Sequence, residues 1–149
     1  MIRRFHTGAI FFNWQGGVIS YLREQGYDLS SCSFVGSSSG SMTATFAATG
    51  VDFYDATDLA LKLASKYDVW DRKDGLKGIL SPMIEEWLQT LLPSSIYGID
   101  GRLSLLVTPV PFLWERKNIS SFTDKKDLIE CILASIYLVS LECYVVNEK

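Results

Sequence analysis

The sequence predicts an α/β domain with a mostly parallel central sheet, on three observations. The first fifty residues alternate strand, tight turn, helix, strand, sharp Gly/Ser turn, helix. At the second of those turns stands Gly36-Ser37-Ser38-Ser39-Gly40, a G-x-S-x-G placed where a strand signal gives way to a helical one. Further on, helical stripes are separated by one more apolar strand signal, the order expected when crossover helices join parallel strands.

In chain order, residues 2 to 7 read as a short strand, and Thr7-Gly8-Ala9 as a small-residue turn. A helix follows from about Gln15 to Gln25, with Val18, Ile19 and Leu22 at helical spacing, Arg23 and Glu24 on the outer face and Gly26 as its stop. Phe34 and Val35 end the next strand. Ala44, Phe46, Ala47 and Ala48 carry a helix of small residues to Gly50. Asp52 is placed to cap a third helix whose buried face holds Phe53, Ala56, Leu59, Leu63 and Tyr67, with Lys62 and Lys66 on the wet side. Residues 70 to 80 read as a charged, glycine-punctuated loop. Ser81-Pro82 opens a helix with the apolar stripe Ile84, Trp87, Leu88, Leu91 and Leu92, closed by Pro93. Residues 102 to 107 read as a strand, broken by Thr108-Pro109-Val110-Pro111. Residues 118 to 122 suit a short strand or an extended loop. Thr123 is placed to cap a last helix, with Asp124 and Asp127 in its first turn and Leu128, Ile129, Ile132, Leu133 and Ile136 facing inward. Residues 140 to 149 carry no clear signal.

The bulk properties set limits. One domain spanning 1–149 is long enough to bury a core, and 48% hydrophobic against 21% charged residues is a globular balance. A net charge of −3 without a basic patch argues against nucleic acid as a partner. Cys32, Cys131 and Cys143 are odd in number and unpaired in spacing, so they read as thiols in a reducing compartment rather than as a disulfide framework or a metal site. No apolar run reaches membrane-spanning length. A cytoplasmic protein, touching membranes at most peripherally, is the expectation.

The pentapeptide is where chemistry is expected. A nucleophile at the tip of a strand-to-helix turn is held in a strained backbone with its side chain presented outward, and the chain crowds itself on either side of the tip. That requires small residues at Gly36 and Gly40 and makes Ser38 the exposed hydroxyl, with Ser37 and Ser39 flanking it. Unpaired N–H groups of the following helix favour negative charge developing there. A Gly/Ser run also makes ordinary loops; the strand before and the helix after favour the elbow. A phosphate-binding loop is the weaker alternative, because no G-x-x-x-x-G-K-[ST] is present and no lysine follows Gly40 within reach.

On residues 5–12 (Phe-His-Thr-Gly-Ala-Ile-Phe-Phe), 17–24 (Gly-Val-Ile-Ser-Tyr-Leu-Arg-Glu) and 35–41 (Val-Gly-Ser-Ser-Ser-Gly-Ser), the chain resembles the patatin-like phospholipase family. Residues 101–105 and 128–135 are similar to later segments of that family, so the resemblance runs from about residue 5 to about residue 136. It implies a three-layer sandwich of patatin type and hydrolysis of lipid esters, of phospholipase or triacylglycerol lipase kind. It also implies a Ser–Asp dyad without a catalytic histidine and no cofactor or metal. The implied partners are a lipid ester substrate and the surface of a membrane or lipid droplet. The sole histidine, His6, lies upstream of Ser38 and reads as a turn or strand-end residue. Carried over, Ser38 is the nucleophile, and the N–H groups of the early turn, Gly8 and Ala9, hold the oxyanion.

Two departures qualify the resemblance. The family's early turn is a run of glycines, whereas Thr7-Gly8-Ala9 keeps only Gly8, and losing one oxyanion donor costs ~3 kcal/mol of transition-state stabilisation. The family's dyad aspartate lies in an Asp-Gly-Gly or Asp-Gly-Ala motif beyond the helix matching 128–136. The only Asp-Gly pairs here are Asp74-Gly75 and Asp100-Gly101, both upstream, and Asp100 is expected to be a surface turn residue. The resemblance therefore implies a domain incomplete at its C-terminus. A catalytically silent protein that keeps a lipid- or partner-binding surface stands as the alternative to a hydrolase.

Overall fold

A computed structural model describes residues 2–5, 11–108 and 116–136. The order of elements is β1 (Ile2–Phe5), α1 (Phe12–Glu24), β2 (Ser33–Ser37), α2 (Ser39–Thr49), α3 (Phe53–Lys66), α4 (Leu80–Leu91), β3 (Leu103–Val107), β4 (Lys117–Ile119) and α5 (Lys125–Ile136). The four strands form one sheet in the order β1-β2-β3-β4. β1 pairs parallel with β2, and β2 parallel with β3, while β4 runs antiparallel on the edge. The chain is thus a mixed α/β fold with a mostly parallel sheet, as the element order predicts.

Register places Phe34 beside Leu103 and Gly36 beside Leu105. Adjacent residues of parallel strands share a face, and these four are buried. α2 packs across β1, β2 and β3, and α5 lies against β3. α2 is buried from Ser39 to Ala48, which explains its composition: small residues let a central helix approach the sheet closely. Two of its hydroxyls bond back within the helix, Thr45 donating to the Ser41 carbonyl at 2.8 Å and Thr49 to that of Thr45 at 2.8 Å.

Around α2, helices α1, α3 and α4 meet in one aromatic cluster. Phe46 of α2 packs against Phe53 of α3 and Trp87 of α4 with ring centroids 5.8 Å and 5.0 Å apart, and Phe12 of α1 packs against Trp87 at 5.3 Å. The Trp87 indole N–H donates to the Ala56 carbonyl at 2.8 Å, so burial of that ring leaves no orphaned donor.

Several boundaries and faces differ from the sequence expectations. α1 starts at Phe12 rather than near Gln15, and it buries Gln15, Gly16, Ile19 and Ser20 while Val18 is exposed. The stripe turned because α1 meets α3 closely: a Cβ on Gly16 would lie 2.5 Å from the Phe53 ring, so the backbone itself is the packing surface. Gln15 accepts a hydrogen bond from the Thr43 hydroxyl at 3.0 Å, joining α1 to α2 through buried polar groups. Arg23, expected on the outer face, is half-buried. Its guanidinium donates to the carbonyls of Val51 at 2.7 Å, Phe46 at 3.2 Å and Ala47 at 3.3 Å. It thereby caps the C-terminal end of α2, where a cation is favoured. Burial lowers its pKa, and the nearby Asp52 carboxylate offsets part of that.

Asp52 caps α3 as expected, accepting from the N–H groups of Tyr54 at 2.7 Å and Asp55 at 3.1 Å. At α5 the cap is Asp124 and not Thr123. The Asp124 carboxylate accepts the Asp127 N–H at 2.9 Å, while Asp127 reaches back to the Thr123 N–H and hydroxyl, both at 2.9 Å. This reciprocal arrangement holds the Asp127 pKa below the usual carboxylate range. Cys32 and Cys131 are free thiols, and Cys143 lies outside the described residues.

Candidate functional site

β2 ends at Ser37 and α2 begins at Ser39, so a single residue makes the turn. That residue, Ser38, has φ 55° and ψ −130°. Among the described non-glycine residues only Ser38 and Asp68 have positive φ. The conformation costs about 1–3 kcal/mol and persists only where the surroundings enforce it.

Three features enforce it. First, Gly36 lies directly under α2. A Cβ built there would stand 2.2 Å from the Gly40 carbonyl oxygen, 2.6 Å from its carbon and 2.7 Å from the Ser41 Cα. The strand can fold back on the helix this tightly only without a side chain at 36. Second, Ser41 ties the first turn of α2 to the tip. Its N–H donates to the Ser38 carbonyl at 2.8 Å and its hydroxyl to the same oxygen at 2.5 Å. Third, the Ser38 N–H donates to the Ser135 hydroxyl of α5 at 2.9 Å, and that hydroxyl donates to the Leu106 carbonyl of β3 at 2.8 Å.

With the Ser38 and Ser41 N–H groups so engaged, those of Ser39 and Gly40 open α2 without an intrahelical acceptor. They make the positive end of the α2 dipole, facing the tip. Ser39 is buried, and its hydroxyl has no partner among the described residues. Ser37 and Ser38 are half-buried and Gly40 is buried. The motif residues 36 to 40 are thus gathered at the C-terminal edge of the parallel strands, the edge at which open α/β sheets place their sites. Such a turn can present a hydroxyl nucleophile and stabilise negative charge beside it.

Ser41 and Ser135 carry no catalytic signature in the sequence, yet both hold the tip. For Ser41 a signal exists: a serine three residues into a helix commonly bonds back to the capping carbonyl. Ser135 joins the site only through tertiary structure, ninety-seven positions away in the chain. The oxyanion candidates Gly8 and Ala9, and His6, lie outside the described residues. Asp100 is at the wrong edge. It precedes β3, accepts the Phe122 N–H at 3.4 Å, and is separated from the elbow by the length of β3, on the order of 15 Å. It is the turn residue the sequence suggests.

The chain matches no family model, no curated protein and no solved structure. Among the described residues no group of three or more His, Cys, Asp or Glu side chains is placed to hold a metal ion, and no helix is long and apolar enough to cross a membrane. A cleft of about 260 Å³ lies between α1 and α3, lined by Asn13, Gly17, Ser20, Phe53, Tyr54 and Asp58, with no elbow residue in its wall.

Proposed function

We propose that this chain carries the nucleophile elbow of a patatin-like lipid acyl hydrolase, in a three-layer α/β sandwich. The observation that supports this best is the strained Ser38 at a one-residue strand-to-helix turn, wedged by Gly36 against the Gly40 carbonyl. A loop of merely flexible Gly and Ser has no reason to hold a non-glycine residue in that conformation.

In this reading the Ser38 Oγ attacks an ester carbonyl carbon and passes its proton to a carboxylate base. The C–O bond to the alcohol breaks, the alcohol leaves with a proton, and the acyl group remains on Ser38 until water releases it as the acid. The Ser39 N–H and the early Gly8-Ala9 turn supply the oxyanion donors. The base is a family aspartate for which no residue is assigned. Lipid esters are the substrate class by resemblance, and contact with a membrane or lipid-droplet surface follows from such substrates.

Hydrolysis of p-nitrophenyl esters of two to sixteen carbons by the purified chain, beside Ser38→Ala, tests the proposal. Turnover lost in Ser38→Ala is expected; turnover that survives the substitution overturns the assignment of Ser38. The placement of Asp100 at the opposite strand edge favours a second reading, a silent elbow on a lipid- or partner-binding domain. Binding of phospholipid vesicles unchanged by Ser38→Ala, without turnover, would select it.

A further inference from the structure

We propose that Ser135 is the positioning residue of the elbow, a hydroxyl spliced into the β2–β3 ladder at the point where β2 leaves the sheet. The inference rests on the reading of Ser38 as a nucleophile, and it names the residue that sets the posture of Ser38.

The ladder geometry carries it. The Phe34 N–H donates to the Arg102 carbonyl, and β2 pairs with β3 through Ser37 beside Leu106. Parallel rungs on one strand recur every second residue. The Gly36 N–H therefore belongs to the Ser104 carbonyl and the Ser38 N–H to that of Leu106. At Ser38, however, the chain turns out of the strand conformation. The two backbone groups of that rung are coupled through Ser135, whose hydroxyl accepts from one at 2.9 Å and donates to the other at 2.8 Å. A hydroxyl is the smallest group that does both at once. Alanine at 135 would remove the shared partner from a part-buried N–H and a part-buried carbonyl together.

Two consequences follow for the chemistry. Ser135 fixes the plane of the peptide preceding Ser38, and with it the direction of the Ser38 side chain. It also occupies the Ser38 N–H, which leaves the Ser39 and Gly40 N–H groups as the donors this side of the site offers an oxyanion. Because Ser135 is in the last turn of α5, the posture of the nucleophile depends on how α5 docks against β3.

The test compares the wild-type chain with Ser135→Ala and Ser135→Thr, the latter keeping a hydroxyl. It has two readouts: amide exchange of Ser38 by NMR, with α4 amides as the stability reference, and the rate of labelling by a fluorophosphonate. The expected result is Ser38 exchange faster by about tenfold or more in Ser135→Ala, unchanged α4 exchange, and labelling slower by roughly ten- to a hundredfold, with both restored in Ser135→Thr. Should Ser135→Ala fail to fold, Ser135→Cys, a close isostere with a weak donor, serves the same comparison. Wild-type exchange and labelling rates in a folded Ser135→Ala or Ser135→Cys would overturn the proposal. If the wild type itself does not label, the hydrolase reading falls, and the exchange of the Ser38 amide alone decides the role of Ser135.

Discussion

Replacing Gly36 with alanine should be among the most damaging single-methyl additions this fold can suffer. The added Cβ would sit 2.2 Å from the Gly40 oxygen, and ordinary contact begins at 3.4 Å, so the elbow must open by 1.2 Å. The neighbours on the far side are backbone atoms of Gly40 and Ser41 rather than the flexible end of a side chain. Overpacking of a side-chain core costs about 1–3 kcal/mol. Displacing the first turn of a central helix should cost at least the upper end of that range, about 3 kcal/mol, out of a typical total of ~5–15 kcal/mol. Gly17→Ala is the control: no atom lies within 4 Å of the Cβ it would add on the exposed face of α1, and helix propensity gains about 0.5–1 kcal/mol. Urea denaturation of the two variants beside the wild type measures both. A Gly36→Ala midpoint equal to wild type, with an unchanged slope, would refute the close approach on which the elbow geometry rests.

Other perturbations follow from the same geometry. Ser38→Gly should relieve the strain at φ 55° and raise stability by about 1–3 kcal/mol, less roughly 0.5–1 kcal/mol of added unfolded-state entropy, while removing the hydroxyl proposed as nucleophile; denaturation curves and ester turnover check the two halves. Trp87→Ala should cost about 3–5 kcal/mol, because the ring joins α1, α2, α3 and α4, and calorimetry should show a correspondingly lower Tm. The Asp127 pKa is lowered in the folded chain by hydrogen bonds from Thr123. Its contribution is therefore complete above the unfolded carboxylate value of about 4 and is lost as pH falls through the lower folded value. Asp127→Asn should flatten that acid limb, as read from Tm against pH.

The fold was legible where the pattern is local. The parallel α/β order, the elbow at 36 to 40, the Asp52 cap and the apolar faces of α4 and α5 all follow from spacing and turn chemistry. What escaped depends on partners remote in sequence. The buried side of α1 could not be told from its periodicity, because Gly16 and Gln15 face α3 and α2 in place of larger apolar residues. Arg23 looked solvent-facing until the end of α2 stood beside it. Thr123 and Asp124 are both good caps, and only the hydrogen bonds select Asp124. In the site, Ser38 and Gly36 announce themselves through the motif. Ser135 does not, since a serine in the last turn of a helix has no signature until the strand end it bridges is in place. The oxyanion candidates Gly8 and Ala9 rest on the family resemblance.

Reaction of the purified chain with a fluorophosphonate, followed by mass mapping of the modified peptide, decides whether the elbow is armed. The account predicts one adduct, on Ser38, abolished by Ser38→Ala and by prior unfolding in urea. A folded wild-type chain that takes up no probe, or an adduct on another serine, would contradict it.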